Sequence, residues 1–205
     1  AAELARKIAD GNHAELREKW TEDVGRGNER VSQINQKLWG EFKNPRDAIK
    51  PEAVGQGLVG DCWLMATIAA VAETMPKAIE KSIEQLPDGK FKVTFPGLPD
   101  KPITIEPPTP VELAMFARGT KYGIWVAVLE KAAAQLSLKP SGDDAINSLD
   151  GNSPAVALEL LTGFRVVKMS ASDINVRQKL ALAQQWGLPI VCSTLPEGTD
   201  KERDD

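Results

Sequence analysis

Residues 1–43 are polar and helix-prone, with apolar positions spaced so that Leu4, Ile8 and Leu16 can share one face and Val31, Ile34 and Leu38 another. Gly25-Arg26-Gly27-Asn28 separates the two stretches, and Trp20 and Trp39 are the expected packing anchors. The pattern then changes. Residues 62–75 are apolar almost throughout and predict a helix, opened by Asp61 as N-cap and closed before Pro76. Proline starts a helix readily, so another is expected from near Lys77 to about Leu86.

Asp88-Gly89 is a turn signal, after which Phe91-Lys92-Val93-Thr94-Phe95 alternates as a half-buried strand does. Ile103-Thr104-Ile105 reads as a second short strand. Pro96, Pro99, Pro102, Pro107, Pro108 and Pro110 crowd this region, which places the hairpin at the periphery, because proline cannot donate to a central ladder. Residues 125–136 form an alanine-rich helix. Ser153-Pro154 caps another, which Gly163 ends. Beyond Gly163 the reading is strand over residues 164–167, helix over 173–186 and strand over 188–194. Together these predict an α+β fold, mainly helical first and β-rich from near Gly163.

Length and composition set limits. The 205 residues suffice for one generous domain or two small ones, and 42% hydrophobic with 26% charged residues is ordinary for a globular protein. A net charge of −4 with no dense basic patch disfavours nucleic acid and anionic membranes as partners. The longest apolar run, residues 64–72, is far short of the ~18 residues a membrane helix needs. Two distant cysteines, Cys62 and Cys192, make neither a disulfide framework nor a zinc site. They point to a reducing, cytoplasmic setting, although an exported effector of the same fold would show no signal. The chain opens Ala-Ala-Glu-Leu and closes on a charged run, so it reads as a piece of a longer protein.

The chemistry concentrates in Gln56-Gly57-Leu58-Val59-Gly60-Asp61-Cys62-Trp63. A thiol attacks as thiolate, and the partial positive charge at a helix amino end favours that form. Gly60 permits a tight turn before Cys62. Gln56 can aim its side-chain amide at the oxygen of a tetrahedral intermediate, with the Cys62 backbone N–H as the second donor, and one such donor is worth ~3 kcal/mol of barrier. Read alone, Cys62 is a small buried hydrophobe after a capping aspartate. Trp63 reads foremost as core packing beneath it, Gly151 equally as a turn glycine, and Cys192 as inert core in an apolar strand.

Taken in register, Gln56, Gly57, Gly60, Asp61, Cys62 and Trp63, continued by residues 64–69, resemble the cysteine segment of the calpain family of papain-like proteases. Residues 125–132 resemble that family's helix ending in Leu-Glu-Lys-Ala, with Ala133 where tyrosine is usual. Leu149-Asp150-Gly151 and Leu161-Thr162-Gly163 are similar to the glycine-bearing segments flanking the substrate cleft, and residues 188–193 to the strand opening the second subdomain. The resemblance covers residues ~50–195 and leaves the first 45 outside it. It divides the chain into an accessory segment (1–45), a nucleophile subdomain (46–162) and the beginning of a second subdomain (163–205).

The resemblance implies a thiol endopeptidase acting on protein or peptide substrates. Cys62 and Gln56 would be catalytic, and Gly151, Gly163 and Trp63 would lie along the substrate. No cofactor is certain, but calcium is possible. Glu130 matches an acidic position of the family, whereas Ala53 stands where an acidic calcium ligand is usual. The family takes its base from a histidine after the last strand present here, and an asparagine further on orients it. No histidine follows Cys62. The single one, His13, lies far upstream and reads as solvated surface. Two readings stand. In one, a second protease subdomain beyond residue 205 carries the missing His and Asn, and this chain alone is inactive. In the other, the fold persists as a non-catalytic peptide-binding or scaffold module.

Overall fold

A computed structural model describes residues 25, 29, 31–117, 121–136 and 152–193. The elements run α1 (Pro45–Ala48), a 3-10 turn (Pro51–Ala53), α2 (Cys62–Thr74), α3 (Pro76–Ser82), β1 (Ile83–Gln85), β2 (Phe91–Val93), β3 (Ile103–Ile105), α4 (Pro110–Met115), α5 (Trp125–Gln135), α6 (Pro154–Thr162) and α7 (Val176–Gln185). It is a helix-rich α+β arrangement with one small antiparallel sheet in the order β1-β2-β3.

Two helices organise the core. α2 buries Trp63, Leu64, Met65, Thr67, Ile68, Val71 and Ala72, so it has almost no solvent face, and it packs against α6. Thr67 survives inside because its hydroxyl donates to the Trp63 carbonyl at 2.7 Å. α5 is buried along most of its length, and its Trp125 Nε1 donates to the Ala48 carbonyl at 3.2 Å, tying α5 to α1. The alanines of α5 let neighbouring backbones come close, and Ala132 and Ala133 have no exposed surface.

The sheet differs from the sequence reading at one end. The helix expected to reach Leu86 stops at Ser82, and Ile83–Gln85 turns into β1, paired with β2 through Ile83–Val93 and Gln85–Phe91. A β-branched residue after a short helix, with a partner strand beside it, gains more from the ladder than from another turn of helix. The prolines flank the strands rather than interrupt them. Gly97 presses on α6: a Cβ there would lie 2.4 Å from the Glu159 carbonyl oxygen, and its N–H donates to Leu160 O. Thus the peripheral hairpin is docked on the helix that backs α2.

The α6 cap forms as the sequence predicts, with Ser153 Oγ accepting from Ala155 N and Gly163 left-handed at φ 72°. Val31, Ile34 and Leu38 pack on the core, although the chain there is mostly turn rather than helix. Trp39 packs against the same core, while Trp20 and residues 1–24 lie outside the described residues.

Past Gly163 two strand expectations fail. Residues 164–167 and 188–193 form no strand, because no described segment offers them a ladder partner. The helix expected over 173–186 is present as α7, but none of its residues is buried. Phe164, Val167, Ile174 and Trp186 stand in solvent, Ile174 at 94% exposure. Cys192 is likewise exposed, which corrects its assignment to the core. Among the described residues, no helix is long and apolar enough to cross a membrane.

Candidate active site

The loop leading into α2 is held by backbone contacts before any side chain acts. Leu58 N–H donates to Met115 O at 2.7 Å at the end of α4. Gly57 lies so close to that end that a Cβ would come within 2.1 Å of the carbonyl oxygens of both Met115 and Phe116. Only glycine fits there, since backbone on both sides must stay where it is. Gly57→Ala is expected to cost about 3 kcal/mol of stability by overpacking and to displace the loop carrying Gln56. Urea unfolding checks the first effect, and an unchanged midpoint counts against so tight a seat.

Within this loop Gln56 Nε2 donates to the Val59 carbonyl at 2.8 Å. A primary amide carries two N–H groups, so one bond fixes its orientation and the other remains to meet a ligand oxygen. Val59 is buried and anchors the turn, while Gly60 and Cys62 are exposed. Cys62 is the first residue of α2, where no carbonyl of the helix reaches its N–H. Structure therefore brings an exposed thiol, a free-ended helix and an oriented primary amide into one short surface segment. Trp63, next to the thiol, points the other way and is buried in the core.

Asp61 corrects the sequence reading. It occupies the N-cap position and its carbonyl accepts from Leu64 N and Met65 N, but its side chain makes no cap hydrogen bond. The carboxyl is fully buried beside that of Glu130, from the middle of α5. Glu130 is 1% exposed, and its Oε2 accepts from Ala117 N at 2.6 Å. Burial first, and then the neighbouring Asp61 charge and its hydrogen bond, push the Glu130 carboxyl up to about 9, against the pull of the Ala117 amide. The sequence held a signal for this pairing that went unread. Glu130 is flanked by Leu129 and the alanines 132–134 on a helix with little polar face.

The remaining predicted residues separate. Gly163 caps α6 against Pro96, with its would-be Cβ 2.9 Å from Pro96 O. Gly151 and His13 lie outside the described residues. Glu130 brings one buried carboxyl to the position where the resemblance suggests calcium. The ion asks for about six to eight oxygen ligands; the contacts described for this carboxyl are the Ala117 N–H and the neighbouring Asp61. Ala53, 2% exposed, offers a methyl group. Among the described residues no three His, Cys, Asp or Glu side chains gather as a metal site.

The family model described as calpain family cysteine protease matches residues 19–204. This chain belongs to the calpain family of cysteine proteases. The match begins at residue 19, upstream of the motifs that carry the sequence resemblance, and so takes in the turns whose Ile34 and Leu38 join the core. Membership makes the chain a cysteine peptidase at the level of the family, with protein or peptide substrates, and the helix-rich α+β architecture agrees with it. In this calpain-family chain the exposed cysteine at the head of the central helix is Cys62.

Proposed function

We propose that this chain is the nucleophile-bearing part of a calpain-like cysteine endopeptidase. Cys62 attacks the peptide carbonyl, and the bond between carbonyl carbon and nitrogen breaks to leave a thioester. Gln56 Nε2 and the Cys62 N–H hold the oxyanion, and water then hydrolyses the thioester. The observation carrying this reading is the exposed Cys62 at the first turn of a buried helix, beside an amide already oriented by Val59.

The proton carrier is a histidine, oriented by an asparagine, on a second protease subdomain beyond residue 205. Residues 63–205 contain no histidine, and the solvent-facing Phe164, Val167 and Trp186 supply an apolar side for such a unit to cover. Gly163 sits where the two subdomains meet and Gly151 flanks the substrate, whereas Trp63, buried in the core, backs the nucleophile instead of lining the peptide. The chain alone then hydrolyses peptides poorly, since loss of a general base costs ~10²–10⁴-fold. We place the protein in the cytoplasm on its two unpaired cysteines.

Replacing Gln56 tests the assignment. In the protein that carries the second subdomain, Gln56→Ala is expected to lower kcat about 10²–10³-fold with little change in KM, because the lost donor acts on the oxyanion rather than on bound substrate. A Gln56→Ala enzyme with full kcat overturns the oxyanion role. A non-catalytic peptide-binding module is the alternative, and it predicts binding without any turnover.

A further inference from the structure

α4 is six residues long, Pro110–Met115. A helix that short is not stable on its own in water, so its place is set from outside. That place matters to the site. Leu58 N–H donates to the Met115 carbonyl, and Gly57 lies against the carbonyls of Met115 and Phe116, so the loop carrying Gln56 rests on the carboxyl end of α4.

α5 holds α4 at both ends through adjacent residues. At the carboxyl end, Glu130 Oε2 accepts from Ala117 N at 2.6 Å. At the amino end, Lys131 Nζ donates to Glu112 Oε2 at 2.8 Å and to the Pro107 carbonyl at 3.3 Å. Glu112 is the third residue of α4 and completes a capping box. Its Oε2 also accepts from Thr109 N at 2.7 Å, and Thr109 Oγ1 accepts from Glu112 N at 3.3 Å. The Glu112 carbonyl accepts from Phe116 N at 2.7 Å. One residue therefore joins Lys131, on its side chain, to the seat of the Gln56 loop, on its backbone.

The Lys131–Glu112 pair differs from the other described ion pairs. Its side chains are 12% and 24% exposed, whereas the lysine or arginine of each of the others is at least 38% exposed. A pair drawn partly out of water is screened less and keeps one geometry. Burial raises the Glu112 carboxyl, but the Lys131 hydrogen bond and the Thr109 amide outweigh it and hold the group below the ordinary carboxylate range.

We propose that Lys131 is a positioning residue, which through Glu112 fixes α4 and with it the loop that aims Gln56 at the oxyanion. The catalytic half of this rests on reading Gln56 as the oxyanion donor. The seating of the loop is a property of this chain by itself.

Lys131→Met keeps most of the side chain's length and removes its charge and its donors. Amide hydrogen exchange in the 205-residue chain reads the seat directly. Lys131→Met is expected to speed exchange of the Leu58 N–H about tenfold while leaving the Ile68 N–H, in the middle of α2, within about twofold of the parent. Lys131→Arg restores a charged donor and is expected to bring Leu58 back to within about threefold. In the protein that carries the second subdomain, Lys131→Met is expected to lower kcat about tenfold with KM within about twofold, and to cause no further loss once Gln56 is replaced by alanine.

Unchanged Leu58 exchange in Lys131→Met would show that the pair holds nothing, and equal quickening at Leu58 and Ile68 would show that the whole fold has loosened. Either result overturns the positioning role. A kcat loss that multiplies with that of Gln56→Ala overturns the route through Gln56. Full kcat in Gln56→Ala alone removes the oxyanion reading and the catalytic half with it, while the exchange rates decide the seating without any peptide hydrolysis.

Discussion

Cys62→Ala in the protein carrying both subdomains is expected to lower peptide hydrolysis about 10⁴-fold or more, while binding of the uncleaved peptide persists. The size follows from what the residue does. Cys62 supplies the only bond to the substrate in the thioester route, so its loss removes a whole reaction path and not one contact. The fold should tolerate the change, because Cys62 is exposed at the first turn of α2 and alanine is the best helix former. Steady-state kinetics on a peptide substrate, paired with thermal unfolding, separates the two effects. Cys192→Ala is the matched control, an exposed cysteine on a segment that contributes no strand. If Cys62→Ala retains activity comparable to the Cys192→Ala control, the nucleophile lies elsewhere.

The largest expected loss of stability comes from Trp125→Ala, about 3–5 kcal/mol. Trp125 has no exposed surface and is the biggest fully buried side chain among the described residues. Removing it leaves a void between α5 and α1, and the Ala48 carbonyl loses the Nε1 donor. For a domain of this size the cost corresponds to a Tm drop of about 10 °C. Trp125→Phe restores most of the volume but not the donor, and is expected to lie between. The functional link is direct, since α1 leads through the 3-10 turn to the Gln56 loop. A Tm shift below about 2 °C would mean that the site collapses around the void, contrary to its close packing.

Much of the first subdomain was legible because local signals and tertiary context agree there. The run after Asp61, the Ser153 and Gly163 caps and the Ile103–Ile105 strand all carry their own stop signals. β1 was misread because Ile83-Glu84-Gln85 carries no strand signal until Phe91–Val93 is folded against it. Asp61 was misread for a related reason. Capping is a local rule, and a carboxyl that meets another carboxyl from α5 obeys a contact nearly seventy residues away in the sequence. The strands expected after Gly163 rest on alternation alone, which specifies a face but not a neighbour. In the site, Cys62 and Gln56 were legible from the motif, whereas the Val59 carbonyl that orients Gln56 was not, because backbone acceptors leave no trace in residue identity.

No residue beyond Leu161 among those described is buried, so the hydrophobic core closes before the chain reaches α7. The thiol, its helix and the oriented amide therefore belong to the part of the described chain that holds the buried core, against which Val166 and Val191 of the later segment pack from outside. If the proposed second subdomain completes the cleft, its docking is a step at which cutting can be controlled without any change in the chemistry of the nucleophile.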